Sequence, residues 1–117
     1  MIKIKRVYEG AGPDDGTRIL VERLWPRGMR TEELALDSWV KDVAPGTDLR
    51  RWFGHDPAKW EEFRRRCFAE LDAHIAAWQP LIEAARKGNV TLLYSSRDTE
   101  HNNAIALQEY LNAHLAG

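Results

Sequence analysis

The stretch that decides the fold is Gly88-Asn-Val-Thr-Leu-Leu-Tyr-Ser-Ser-Arg-Asp98. Its centre, Val90 to Tyr94, is a short unbroken β-rich run, the pattern of a strand buried on both faces of a sheet. Gly88 is a helix stop on its amino side, and Ser95-Ser96-Arg97-Asp98 is a loop on the other. Helical spacing then returns from about Thr99 to His114, with Ala104, Leu107, Tyr110 and His114 in register. A strand set between two helices calls for parallel pairing, because only a long crossover can bring the chain back in the same direction.

Working backwards, Leu81 to Lys87 is a helical piece, and Pro80 is expected to kink or break the chain near Trp78. The Asp56-Pro57 pair gives an N-cap followed by proline at the first helical position. The long helix after it carries Trp60, Phe63, Cys67, Leu71, Ile75 and Trp78 on one stripe. Leu49 to Phe53 reads as one short helical turn. Leu36, Trp39, Val40 and Val43 fall at i, i+3, i+4 and i+7, which predicts a helix capped by Asp37. Ile2 to Tyr8 starts with period-two alternation and Thr17 to Trp25 contains the apolar run Ile19-Leu20-Val21, so both read as strands, joined by a turn over Glu9 to Gly16. The order β-β-α-α-α-β-α defines an α/β class. We expect one domain over residues 1–117, with a small, mostly parallel sheet of about three to four strands covered by helices on its faces. Ligands of such sheets bind beyond the carboxyl ends of the strands. That rule selects two loops, Arg23-Leu24-Trp25-Pro26-Arg27-Gly28 and Ser95-Ser96-Arg97-Asp98.

Composition bounds the function. The 117 residues are 44% hydrophobic and 30% charged, with a formal net charge of −1, which disfavours disorder and a globally basic nucleic-acid binder. Charge is uneven: residues 1–30 carry a net +3 and residues 31–63 a net −4. No apolar run approaches the ~18 residues of a membrane span, and the first residues, Met-Ile-Lys-Ile-Lys-Arg6, lack an apolar signal core. Cys67 is the only cysteine, so no disulfide forms within the chain. These features lead us to expect a cytoplasmic protein without a membrane partner.

Several motifs fail. Gly10-x-Gly12 follows a strand, but it leads into another strand, and Asp14 and Asp15 would repel a pyrophosphate. No phosphate-binding loop, nucleophile elbow or zinc-protease motif is present. Cys67 and His74 share a helix but lack further ligands, so no metal site and no cofactor is expected.

Four groups could carry chemistry. Arg23 and Trp25 share a strand face, with Arg27 beyond the turn. Forked guanidinium groups beside an aromatic wall suit a phosphate, a carboxylate or a stacked base. The alternative is that Arg23 pairs with a carboxylate and Trp25 is packing. Ser95, Ser96 and Arg97 precede a helix, whose free N–H groups and dipole favour an anion. Asp98 is expected to be the structural cap of that helix. His101 and Asn102 lie in its predicted first turn, near the strand ends, where His101 could act as a general acid or base and Asn102 could bind ligand. The favoured alternative is that His101 only hydrogen-bonds a loop carbonyl. His55, in Trp52-Phe-Gly-His-Asp-Pro57, would be presented by a lid or else sit in a packed corner. Arg64-Arg65-Arg66 reads as a solvated face, or as a surface for nucleic acid or a protein partner.

Three of these motifs are familiar together. Arg18-Ile-Leu-Val-Glu-Arg-Leu-Trp-Pro-Arg-Gly28, Trp52-Phe-Gly-His-Asp-Pro57, and Leu93-Tyr-Ser-Ser-Arg-Asp98 with His101-Asn-Asn-Ala104 resemble the YeaO-like branch of a bacterial and archaeal domain-of-unknown-function family. The resemblance covers the whole chain and implies a small cytoplasmic α/β protein without an assigned reaction. Other branches of that wider family end the strand with a cysteine and carry Cys-His-Arg in the next helix. Here the matching positions hold Tyr94 and Asn102-Asn103-Ala104, whereas Arg97, Asp98, Glu100 and His101 still match. The resemblance therefore weighs against thiol or metal chemistry and leaves room for anion binding or acid–base work. The expectation is a small anionic ligand at the strand ends, bound or transformed. The alternatives are a nucleic-acid-binding module and a non-catalytic interaction or regulatory domain.

Overall fold

A computed structural model describes all of residues 1–117. Four strands, β1 (Ile2–Arg6), β2 (Thr17–Leu20), β3 (Ser38–Trp39) and β4 (Val90–Tyr94), form one sheet in the order β1-β4-β2-β3, and every pair is parallel. Five α-helices accompany it: α1 (Thr31–Leu34), α2 (Thr47–Phe53), α3 (Trp60–Asp72), α4 (Ile75–Lys87) and α5 (Asn103–Ala116). The decisive strand is central. β4 is buried at all five positions, with Val90, Leu92 and Tyr94 on one face and Thr91 and Leu93 on the other.

The two faces are covered differently. Ile2, Ile19, Val21, Val90 and Leu92 pack under α4, α5 and Leu71 of α3, forming the larger core. On the opposite face Val7, Leu20 and Leu93 meet Leu34 of the short α1, with Trp25, Met29, Leu36 and Trp39 packed around them. Helices therefore cover one face, and the irregular segment after β2 covers most of the other. A third cluster joins α2 to α3, where Phe53 stacks on Phe63 with ring centroids 4.0 Å apart. Cys67 lies in this cluster, and burial pushes its thiol up to about 12, so it is packing rather than a nucleophile. No helix is long and apolar enough to cross a membrane.

Four local expectations need correction. The helix predicted over Leu36 to Val43 is instead β3 followed by a 3-10 turn, Lys41–Val43. Its apolar residues do not share a helix face: Leu36 and Trp39 pack on one side of the sheet, Val40 and Val43 on the other. Asp37 accepts the Arg18 N–H of β2 rather than capping a helix. The second strand ends at Leu20 instead of Trp25, because β3 beside it is only two residues long and Glu22 turns its carboxylate onto the Ser95 N–H. The long helix breaks at Ala73-His74, where Trp78 donates its indole N–H to the Leu71 carbonyl (2.8 Å), and Pro80 is carried inside α4. Finally, α5 begins four residues later than Asp98 would set it. Asn102 is the N-cap, accepting from Ile105 N at 3.0 Å. Asp98 accepts the N–H groups of Glu100 and His101, which closes a turn ahead of the helix.

The amino end of the sheet holds a buried charged knot. The Asp15 carboxylate accepts from Arg18, Lys5 and the Gly12 N–H, and Arg18 also donates to the carbonyls of Leu34 and Ala35. Next to it Gly16 has φ +63°, and a Cβ there would stand 2.0 Å from the Asn89 carbonyl oxygen, so only glycine fits.

Candidate ligand-binding cleft

Beyond the carboxyl ends of β2 and β4 lies a cleft of about 720 Å³. The chain after β2 supplies one wall and Ser95 to Asn103 the other, while α2 and the Ala44-Pro45 corner close the back. Parallel strands bring their ends to one side, and the chain must splay there because β2 and β4 lead away to different elements. Side-chain bonds fix the splayed segments. Glu22 accepts the Ser95 N–H and, at 2.8 Å, its hydroxyl. Asn103 donates to the Val21 carbonyl at 2.7 Å, tying α5 to the end of β2. Arg23 donates to the carbonyls of Pro45 and Ala44 and lies 3.7 Å from Asp42.

Both loops selected from the sequence face this cleft. Arg23, Trp25, Arg27, Ser95, Ser96, Arg97 and Asn102 all line it. Most of their polar groups are already engaged. The Trp25 indole N–H donates to the Met29 carbonyl (2.7 Å), and its ring packs edge-on to Trp39. The Ser96 hydroxyl accepts the Asp98 N–H, and the Asn102 amide is spent on capping Ile105 and on the Asp98 carbonyl. Arg27 and Arg97 are exposed and form no ion pair or side-chain hydrogen bond.

The two histidines part company. His55 stands on the cleft wall, exposed, with a left-handed φ of +58°. His101 does not line the cleft. Its Nδ1 lies 3.0 Å from an Asp98 oxygen, and its ring meets Trp60 edge-on. Asp98 itself is held below the usual carboxylate range, first by the Glu100 N–H and then by the N–H and ring of His101. Tyr94, at the end of β4, is turned into the main core, where burial raises its phenol. No three His, Cys, Asp or Glu side chains gather as metal ligands would.

The residue the sequence reading missed is Arg50. It projects from α2 onto the cleft wall, and its Nε is the only fully buried side-chain nitrogen or oxygen without a hydrogen-bond partner. The stacking of Phe53 on Phe63 seats α2 and thereby sets Arg50 at the back of the cavity. A signal was present: Gly46, Leu49, Arg50 and Phe53 are spaced i, i+3, i+4, i+7, so an arginine occupies the core-facing stripe of a short helix. With Arg50 the lining holds four arginines against Glu22 and Asp98, whose carboxylates are occupied by Ser95 and His101. The cleft is therefore cationic, with the guanidinium groups of Arg27, Arg50 and Arg97 uncommitted. The Arg64-Arg65-Arg66 triplet is different. Arg64 bonds Glu109 and Glu61, and Arg65 and Arg66 share Glu62, so its charge is neutralised on the helix surface.

Fold and cleft define a small, all-parallel α/β protein with a cationic pocket at the carboxyl edge of its sheet. Within that class the chain belongs to the inactive DUF488-N3 subclade, whose family model it matches over residues 1–117. It is 43% identical over 112 residues to the uncharacterized protein YeaO of Escherichia coli, covering 96% of this chain and 97% of YeaO. It is 38% identical over 111 residues to Mb3100c of Mycobacterium bovis and to Rv3073c of Mycobacterium tuberculosis, covering 95% of this chain and 93% of each relative. No solved structure matches the chain.

Proposed function

We propose that the protein binds a small anionic ligand in the strand-end cleft and does not transform it. The observation that carries this reading is Arg50, a cavity-lining arginine whose guanidinium makes no hydrogen bond or ion pair within the fold. With no partner for its guanidinium within the fold, Arg50 is free to take an oxyanion from the cavity through its terminal N–H groups. Arg27 and Arg97 at the rim supply further attraction, and the Ser95 and Asn103 side chains hold the walls in place. Against catalysis stand the buried Cys67, the inward-turned Tyr94, the withdrawal of His101 from the cleft and the description of the family as an inactive subclade. The lone reduced cysteine fits a cytoplasmic setting.

The test is a thermal-shift series of the purified protein with inorganic phosphate, sulfate, acetate and benzoate, repeated with Arg50→Met. A ligand at 100 times its Kd stabilises by about 2.7 kcal/mol. A rise in Tm with one of these anions, lost in Arg50→Met, is the expected result. Binding that is unchanged in the variant, or no shift with any of them, removes the reading.

A further inference from the structure

The anion reading leaves the ligand's chemistry open, and the rest of the lining narrows it. The large apolar side chains that stay exposed in this protein are few: Met1, Tyr8, Leu24 and Ile75. Two of the four, Tyr8 and Leu24, line the same cleft. Leu24 is 62% exposed and directly follows Arg23, whose guanidinium is anchored to the Ala44-Pro45 corner, so its backbone is held in place. Tyr8 is fixed too, because its hydroxyl donates to the Arg27 carbonyl at 2.9 Å and Arg6 lies over its ring. Pro26, Pro45 and Phe53 continue the apolar lining inward toward Arg50. An inorganic anion would touch the guanidinium and leave this apolar surface wet.

The charges narrow the choice further. Four arginines face Glu22 and Asp98 across the cavity, a net of two positive charges on the lining, and Arg23 is already committed to carbonyls and Asp42. A single guanidinium offers a planar fork that matches the two oxygens of a carboxylate.

We infer that the cleft takes an organic carboxylate with an apolar body, its carboxylate on Arg50 and its hydrocarbon along Leu24 and Tyr8. This inference rests on the anion reading above and adds the class of ligand to it. Acetate would then be a poor fragment of the true ligand, and affinity would climb with each methylene that the apolar lining covers.

The experiment is an NMR titration of the ¹⁵N-labelled protein with acetate, butyrate, hexanoate and octanoate, with benzoate and inorganic phosphate alongside. Affinity is expected to rise about fourfold per buried methylene, the value for transfer of a CH₂ out of water. The rise should level off once the chain passes the cleft mouth. Leu24→Asn is expected to flatten the series, lowering octanoate affinity by about 16- to 60-fold, the equivalent of two or three methylenes. Arg50→Met is expected to remove the response to all the carboxylates. Equal affinity for acetate and octanoate, or phosphate binding as tightly as octanoate through Arg50, would overturn the ligand class while leaving the anion site standing. No Arg50-dependent binding by any probe would remove both the anion site and this inference.

Discussion

The two ends of the sheet each hold an arginine, buried at one end and half-buried at the other, and they treat it in opposite ways. At the amino end Arg18 meets a carboxylate, Asp15, and two carbonyls, while Asp15 collects a lysine and a backbone N–H as well. At the carboxyl end Arg50 is seated by the packing of α2, yet its Nε has no partner. Burial of a charge is tolerated when its hydrogen bonds are made, and an unmade one calls for strain, a water or a bound ligand to account for it. The first end is therefore a structural joint. It pins the 9–16 turn to β2 and, through the Thr91 hydroxyl on the Asp15 carbonyl, to β4. The second end is a site waiting for a partner from outside the chain.

Breaking the joint is expected to have the largest effect. Arg18→Ala strands the Asp15 carboxylate and frees two carbonyls, and loss of one member of a buried pair costs about 3–5 kcal/mol. Urea unfolding of the variant should show a midpoint lowered accordingly. A loss under ~1 kcal/mol would mean that water satisfies the joint and that the contrast between the two ends is false. The same joint has a pH signature. The Asp15 carboxyl is lowered from 3.8 to about 2, chiefly by the Gly12 N–H, with Lys5 and Arg18 adding to it. Its folded value lies below its unfolded one, so its stabilisation is complete above about pH 4 and fades as pH falls toward 2. Asp15→Asn should erase that part of the acid-unfolding curve, and the variant and parent curves should converge at the acid end.

The opposite sign is expected at Arg50. Replacing it with methionine removes the unsatisfied donor and keeps much of the aliphatic length against Phe53, so stability should rise by about 1 kcal/mol in urea while anion binding is lost. Gain of stability with loss of binding is the behaviour of a residue kept for function. A loss of 2 kcal/mol or more would show that the guanidinium already satisfies itself within the fold.

The contrast was only half legible in the chain. β1 and β4 could be read because strands under a helical layer leave a continuous or alternating apolar mark. The rule that parallel sheets bind at their carboxyl ends then chose the two loops that do line the cleft. β3 could not be read. Leu36, Trp39, Val40 and Val43 have helical spacing, but the sheet separates them onto its two faces, and only the tertiary structure supplies a sheet there. The start of α5 was ambiguous because Asp98 and Asn102 are both good caps, and which one serves depends on the Glu100 and His101 N–H groups folding back onto Asp98. That same fold-back draws His101 onto Asp98 and Trp60, outside the cleft. Arg50 was missed for a different reason. It lies in none of the strand-end loops and reaches the site only because α2 is clamped on α3.

Glu22 offers the smallest and sharpest test of how the carboxyl end differs from the joint. It is a carboxylate inside a cationic cleft, but its partners are the Ser95 N–H and hydroxyl rather than an arginine. Asp15 neutralises its arginine, whereas Glu22 leaves Arg50 free and merely lowers the positive potential around it. Glu22→Gln keeps an acceptor for the Ser95 N–H, and the Ser95 hydroxyl can rotate to accept from the new amide, so stability should change by under ~1 kcal/mol. Removing the charge should tighten carboxylate binding by about threefold, the scale of one partly screened repulsion across a wet cleft. Isothermal titration of parent and variant with octanoate measures the ratio. Weaker binding in the variant would mean that the Glu22 carboxylate serves the cleft by holding the Ser95 wall in shape rather than by tempering the positive potential around Arg50.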